Sequence, residues 1–306
     1  MDFDFSQIKV LVIGDFMIDH YLIGNSNRKS PEADVPVVIP IDEFSIAGGA
    51  GNVAINLSSL GAKVTCAGVV GNDHWGKILL EKLNENDIST QYIENIKELN
   101  TTVKKRIYSN NQQVARVDID GILKKKCSFM DNNFHDFDLI ILSDYDKGVI
   151  NKTWFKKPKD TLVMIDPKKH ESNFRQCDII TPNLKELEHF YKKTISNDED
   201  IIGACKHLIK NYKFKYVIAK KGKDGITVVD KNGMINSYNA EYVESPDVTG
   251  AGDTVISSLG LALIDSGNID SSVRFAIIAA GIAVNKRGTA NVTIDEINNY
   301  IRKNEE

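Results

Sequence analysis

A chain of 306 residues has room for one large domain or two small ones, and 42% hydrophobic against 26% charged residues excludes a disordered polymer. A formal net charge of -4 gives no electrostatic reason to expect nucleic acid or an acidic membrane as partner, and no apolar run approaches the length of a membrane span. Four cysteines without a CxxC pair, behind an N-terminus (Met1-Asp2-Phe3-Asp4-Phe5) that lacks a signal peptide's basic start, point to a reduced, cytoplasmic protein with neither a zinc site nor a disulfide framework.

Residues 8–14 (IKVLVIG) are a continuous, β-branched apolar run, the pattern of a parallel strand buried on both faces. The run ends at Gly14-Asp15, with Asp19 following, where open α/β sheets bind ligands. Two carboxylates there can accept hydrogen bonds from sugar hydroxyls; equally, Asp15 can cap a turn and Asp19 can be solvated. Pro31, Pro36 and Pro40 exclude a regular helix over residues 28–46, whose alternation suggests extended edge structure. Ala47-Gly48-Gly49-Ala50-Gly51-Asn52 then opens a helix over 52–60. Its glycines either let backbone amides face a ligand or make a plain turn, and Asn52 offers both a donor and an acceptor.

A second buried strand is expected over 62–70 and a helix over 73–86, then strand-like pieces at 91–96 and 101–108, with Asn110-Asn111 as a hairpin turn before 113–117. Arg106 and Arg116 on these pieces are either solvated charges or bidentate ligands for a phosphate. From residue 138, strands over 139–142, 161–165, 178–180 and 217–219 each end in polar residues: Ser143 to Gly148, Asp166-Pro167-Lys168, Thr181-Pro182-Asn183, and Lys220 to Gly225. Alternation with helices predicts a doubly wound, mostly parallel α/β sheet with one functional edge. Helices over 254–266, 271–286 and 294–303 close the chain, and no repeat or linker divides residues 1–306, which read as a single domain with a β insertion.

The chemistry concentrates in residues 246–254 (PDVTGAGDT). Gly250, Ala251 and Gly252 leave the backbone open, and a helix starting there points unpaired amides at an anion. Asp253 stands inside that turn; a carboxylate is a poor neighbour for a phosphate, so its position suggests a base that takes a proton from an attacking hydroxyl. The alternative is a helix capped by Asp247 or Thr249 with the glycines as a turn. Asn183 and Glu186 share one face of a helix start, where they can hold water around Mg²⁺ or form a capping box. A Walker A loop, a GxSxG elbow, an HExxH pair and a GxGxxG after the first strand are all absent from the sequence.

These motifs resemble those of the PfkB family of ribokinase-like carbohydrate kinases, through Ala47-Gly48-Gly49-Ala50-Gly51-Asn52-Val53-Ala54 and Asp247-Val248-Thr249-Gly250-Ala251-Gly252-Asp253-Thr254. Within it, residues 9–297 are similar to the kinase domain of D-glycero-β-D-manno-heptose 7-phosphate kinases. The matching parts are residues 28–37 (RKSPEADVPV), Asn111-Gln112-Gln113 with Arg116 and Asp118, Ser143-Asp144-Tyr145-Asp146-Lys147-Gly148, Asp166-Pro167-Lys168, residues 181–186 (TPNLKE), and residues 280–284 (AGIAV) before Gly288-Thr289-Ala290.

The resemblance implies a sheet flanked by helices, with a small β lid from segments at about 16–46 and 100–118 that pairs two subunits into a homodimer. It implies ATP and Mg²⁺ as cofactors, Asp253 as catalytic base, and Gly250, Ala251 and Gly252 as anion hole. Asn183 and Glu186 fall near the ATP phosphates and Mg²⁺ (Glu186 through water), and Lys220, Gly222, Gly225, Asn285 and Gly288 around the nucleotide. Asp15, Asp19, Gly48, Gly49 and Asn52 fall on the sugar. For the substrate side, including its remote phosphate, Arg28, Arg106, Arg116, Lys147 and Lys168 are the candidates, with Arg116 leading. Lys220 stands where many relatives have Thr, and Ser258 where they have Ala or Gly. Bifunctional relatives carry a following nucleotidyltransferase domain; this sequence stops at Glu306, so that activity is expected elsewhere. The function implied is ATP-dependent phosphorylation of the anomeric hydroxyl of D-glycero-D-manno-heptose 7-phosphate to the 1,7-bisphosphate, in ADP-heptose synthesis for surface glycans. Alternatives are a kinase for fructose, ribose or a hexose phosphate, and a non-catalytic sugar or nucleotide sensor, which would have no need of Asp253.

Overall fold

A computed structural model describes residues 3–124, 126–150, 156–241, 249–286 and 291–305. The chain begins with strands β1 (Lys9–Gly14), β2 (Phe16–Asn25) and β3 (Ile39–Gly49), helix α1 (Ala50–Ser59), β4 (Lys63–Gly71), α2 (His74–Asn84) and β5 (Ser89–Ile96). Next come β6 (Thr102–Ser109), β7 (Gln112–Ile119), β8 (Leu139–Ser143), β9 (Leu162–Asp166), β10 (Ile179–Ile180), α3 (Leu184–Tyr191) and α4 (Asp198–Tyr212). β11 (Tyr216–Lys220), β12 (Ile226–Asp230), β13 (Ile235–Tyr238), α5 (Ala251–Ser266), α6 (Ile269–Val284) and α7 (Ile294–Glu305) complete it.

Among the described residues two sheets form, one of nine strands in the order β13-β12-β11-β10-β9-β8-β1-β4-β5 and one of four in the order β3-β2-β6-β7. The large sheet is parallel from β11 to β5, and β12 and β13 add to its edge antiparallel. Strand β1 shows why its apolar run is unbroken. Val10 and Val12 join a core with α1, α5 and α6, whereas Leu11 and Ile13 join a second core with α3 and α4.

Two features escape a reading of the sequence. Helix α4 follows an N-cap at Asn197, whose side chain accepts from the Asp200 amide, and buries Ile201, Ala204, Cys205 and Leu208 on one face. The β12–β13 hairpin pairs through the turn at Gly233 (φ 97). Helix α5 also starts earlier than the apolar spacing suggests, at Ala251 rather than 254, because Gly250 takes the left-handed conformation (φ 80) that turns the chain into the helix.

The small sheet starts where β1 ends, Asp15 alone separating Gly14 from β2. In it Asp19 stands in register with Lys104 and Lys104 with Asp118; Tyr21 pairs with Arg106 and Arg106 with Arg116. Register partners share a face, so these side chains line one surface. That surface is turned toward the end of β8, since Lys104 Nζ lies 5.1 Å from the Tyr145 ring centre.

Candidate active site

Helix α5 has Gly250 as its N-cap, a residue with no side chain to cap it, and Asp253 stands in its first turn, where backbone amides favour an anion. The Asp253 carboxylate is only 5% exposed. Asn52 Nδ2 donates to Oδ2 at 2.7 Å and the Tyr145 hydroxyl to Oδ1 at 2.9 Å. Asn56 Nδ2 donates to Asn52 Oδ1 at 3.3 Å and to its carbonyl at 2.9 Å, and Thr254 Oγ1 donates to Asn56 Oδ1 at 3.2 Å. This relay fixes which end of the Asn52 amide faces the carboxylate. Burial chiefly, with Asp166 adding, pushes Asp253 up to about 6 against the pull of Asn52, Tyr145 and Lys220.

Lys220, at the end of β11, donates to Asp166 Oδ1 at 2.6 Å, and Thr181 Oγ1 donates to the same oxygen at 3.0 Å. A methyl group built on Gly252 would lie 3.2 Å from Lys220 Nζ, so the ammonium sits directly against the anion-binding turn. Burial disfavours that charge, but Asp166 and then Glu186 outweigh it and hold Lys220 above its ordinary value. Asn183 and Glu186 make a reciprocal capping box at the start of α3, with Glu186 Oε2 accepting the Asn183 amide at 2.9 Å and Asn183 Oδ1 the Glu186 amide at 3.0 Å. The other Glu186 oxygen accepts from Lys168 Nζ at 3.2 Å. Burial, and next the charge of Asp166, raise the Glu186 pKa.

A cavity of about 830 Å³ opens beside these groups, lined by Asn183, Lys220, Gly222, Gly225, Ala251, Gly252 and the apolar Val255, Ile277, Ala280 and Val284. Asn183 and Lys220 stand at its Gly252 end, Lys223 and Glu241 line it elsewhere, and its aliphatic wall comes from α5 and α6, a lining suited to an apolar base with a charged tail. Gly225 (φ 86) has no room for a side chain, since a methyl there would meet the Tyr238 carbonyl at 1.9 Å. Asn285 donates to the Gly281 carbonyl at 3.0 Å at the end of α6. Gly288 and Asp247 lie outside the described residues. Among the described residues no cluster of three or more His, Cys, Asp or Glu could hold a metal by itself. Glu186, buried beside the cavity and close to Asp166, fits the sparse carboxylate environment in which Mg²⁺ keeps its water and leans on substrate phosphates.

On the other side of Asp253, Asp19 pairs with Arg106, both largely buried. A methyl on Gly48 would lie 2.3 Å from Asp19 Oδ2, which makes that glycine a condition of the carboxylate's position. Gly49 (φ 58) turns strand β3 into α1 under the Asp15 carbonyl. Asp15, the other carboxylate expected on the sugar, is buried and already accepts three backbone amides. Its Oδ2 accepts the amides of Tyr145 at 2.8 Å and Lys147 at 3.0 Å, and its Oδ1 that of Val149 at 3.1 Å, so it is a fastening for the loop after β8. Lys147 reaches away to Asp120 at 2.7 Å. Lys168 belongs with Glu186, on the cavity side, rather than with the small sheet. Arg28 is exposed on the segment after β2, and its carbonyl accepts the Val37 amide at 3.0 Å. Arg116 forms a two-pronged pair with Asp118, both contacts at 2.9 Å, with 51% of its side chain exposed against 13% for Arg106. Tyr145 and Asp166 are absent from the residues singled out by sequence for a role, and only their place in strand-end motifs signals them.

The profile described as pfkB family carbohydrate kinase matches residues 7–296. "Bifunctional protein HldE" of Helicobacter pylori (strain HPAG1) is 38% identical over 303 residues, which cover 94% of this chain and 65% of that protein. A protein of the same name from a Nitratiruptor species is 37% identical over 304 residues, covering 96% and 65%. The chain thus spans just under two thirds of the length of these curated relatives. Among solved structures, ribokinase from Thermotoga maritima superposes with a TM-score of 0.76 at 20% identity, covering 96% of this chain and 99% of that one. Arabidopsis thaliana ribokinase complexed with ribose and ATP gives 0.77 at 18% identity, covering 96% and 98%. At such identities these two establish the ribokinase-like fold.

Proposed function

The chain belongs to the pfkB family of carbohydrate kinases, and from that premise we propose that it transfers the γ-phosphoryl group of ATP to the anomeric hydroxyl of D-glycero-D-manno-heptose 7-phosphate, giving the 1,7-bisphosphate. The carrying observation is a buried carboxylate, Asp253, in the first turn of a helix that starts at Gly250, held by the Asn52 and Tyr145 side chains, with a large cavity lined by Ala251 and Gly252 of the same turn. The sugar hydroxyl's oxygen bonds the γ-phosphorus, its proton passes to Asp253, and the phosphorus–oxygen bond to ADP breaks with the electron pair leaving on ADP. The amides of Gly250, Ala251 and Gly252, with the Lys220 ammonium, stabilise negative charge on the transferring group. Asn183, Gly222 and Gly225 line the cavity proposed for the nucleotide, and Glu186 would hold Mg²⁺ through water, an ion that would screen the triphosphate charge.

Heptose 7-phosphate as acceptor is supported by the relatives' similarity over nearly the whole chain and by Lys104, Arg106 and Arg116 on one face of the small sheet, where Asp19 and Asp118 pair with the two arginines. Asp19, Gly48, Gly49 and Asn52 form the sugar side, and the small sheet acts as a lid whose edges join two subunits. The product serves nucleotide-activated heptose synthesis for surface glycans, in the cytoplasm. Among the described residues no helix is long and apolar enough to cross a membrane.

A coupled assay of ADP formation across a panel of sugars and sugar phosphates, including both heptose 7-phosphate anomers, tests the assignment. We expect kcat/KM for a heptose 7-phosphate to exceed that for fructose, ribose and hexose phosphates by at least about 10²-fold, the discrimination a charged contact provides. A hexose phosphate or unphosphorylated sugar preferred over both heptose anomers would overturn it.

A further inference from the structure

Two donors hold the Asp253 carboxylate, and they are unlike. Asn52 is fixed within α1 by Asn56. Tyr145 comes from the loop after β8, and its hydroxyl sits 2.9 Å from Asp253 Oδ1, the contact that an alcohol must make before surrendering its proton to that carboxylate. The backbone beneath Tyr145 cannot retreat, because the amides of Tyr145, Lys147 and Val149 are all fastened to Asp15. The ring, by contrast, is only half-buried and lies under Lys104 of the small sheet. Lys104 stands in register with Asp19, so whatever binds at Asp19 also reaches the ring's cover.

We propose that in the sugar-free protein the Tyr145 hydroxyl occupies the acceptor's place at Asp253, denies that base to water, and withdraws when the sugar hydroxyl arrives. The inference rests on the reading of Asp253 as the base. The phenol suits a temporary occupant. Burial, and next the Asp253 carboxylate beside it, push it well above its ordinary value, so it keeps its proton and does not attack phosphorus itself. Water in the same place would attack: its oxygen would bond the γ-phosphorus, its proton would pass to Asp253, and ADP would leave with the electron pair, giving inorganic phosphate. Tyr145 is thus a positioning residue that separates sugar phosphorylation from idle hydrolysis.

The test compares wild type with Tyr145→Phe, using ATP and Mg²⁺ without any sugar. Hydrolysis should rise about tenfold, which corresponds to roughly 1.4 kcal/mol off the barrier, and the double variant Tyr145→Phe/Asp253→Asn should lose that gain. With sugar present, the pH profiles add a readout that a purely structural role would not produce. Loss of the phenol removes a bond that lowers the Asp253 pKa, so the acid limb of kcat/KM, which reports the free enzyme, should move to higher pH. The limb of kcat should stay, because the phenol has already left in the complex. The other charges facing this pair, Asp166 and Lys220 toward Asp253 and Asp166, Asp19 and Lys104 toward Tyr145, are the same in both proteins. Unchanged hydrolysis, or limbs of kcat and kcat/KM that move together, would mean that the phenol merely orients Asp253 throughout, and the proposal falls. If Tyr145→Phe melts well below wild type, Lys104→Ala, which uncovers the ring, replaces it; a rise in sugar-free hydrolysis supports the proposal and no rise overturns it. Failure of the heptose assignment would appear separately, as no heptose turnover in the substrate panel, since the hydrolysis comparison needs only ATP.

Discussion

In the nine-stranded sheet the reactive side chains stand at strand ends and helix starts, nearly out of water and each already partnered: Asp253 with Asn52 and Tyr145, Asp166 with Lys220, Glu186 with Asn183 and Lys168. In the four-stranded sheet the charges stand on strand faces, grading from the largely buried Asp19–Arg106 pair to the half-exposed Arg116–Asp118 pair at the outer strand. Burial makes the first set, and the Asp19–Arg106 pair with it, expensive to perturb; exposure makes Arg116 and Asp118 adaptable to a ligand. On the proposed function, the large sheet would set the rate and the outer small-sheet charges the choice of sugar.

The sharpest way to break this contrast is to neutralise the buried carboxylate. Asp253→Asn should lower kcat by roughly 10²–10⁴-fold, the usual worth of a positioned base, while ATP binding measured by calorimetry stays within a few-fold. Near wild-type turnover would remove Asp253 from that role.

The same substitution has a stability signature, next in size. Because Asp253 is raised to about 6 in the folded protein, the native state holds its proton where the unfolded chain has lost it. Its stabilising contribution is full below about pH 4 and is lost as pH rises through 6. Asp253→Asn should therefore melt above wild type at pH 8, by an amount on the order of 2–3 kcal/mol, and converge with it near pH 4. Parallel melting curves at both pH values would contradict the buried-carboxylate account.

On the small sheet the expected effects are smaller and depend on the substrate. Arg116→Ala should reduce kcat/KM for the 7-phosphate about tenfold and scarcely touch turnover of the unphosphorylated heptose. With half of its side chain in water, the Arg116–Asp118 pair itself carries little stability, about 0–1 kcal/mol. Equal losses on both sugars would instead make Arg116 a support of the sheet.

The smallest effect separates two uses of one residue. Glu186→Gln should raise the Mg²⁺ concentration needed for half-maximal rate a few-fold at saturating ATP. Glutamine can keep the contact to the Asn183 amide, so a change in melting temperature without a change in Mg²⁺ dependence would leave Glu186 as a cap alone.

Much of the large sheet is legible in the sequence because burial on two faces leaves uninterrupted apolar runs such as 9–14 and 139–142, and the glycine turn is legible because its chemistry needs fixed residue types at fixed spacing. What escapes is set by contacts far apart in the chain. Tyr145 lies 108 positions from Asp253, and nothing local marks its hydroxyl as the carboxylate's partner. Asp15 occupies the expected strand end, yet its oxygens turn to three amides of a loop about 130 residues on. Lys168 follows a strand end just as Asp15 does, but the sheet order carries it to Glu186.

The Lys220–Asp166 pair has a consequence for how nucleotide enters and leaves. Lys220 faces the anion-binding turn with its counterion built in, so a phosphate that claims the ammonium displaces an internal carboxylate rather than dissolved chloride. Nucleotide capture then resembles ion exchange on a resin with a tethered anion. Added salt competes poorly with a carboxylate held 2.6 Å away, so ATP affinity should depend on ionic strength more weakly than a cation in open solvent would dictate. On the proposed function, Asp166 would reclaim the ammonium as ADP departs.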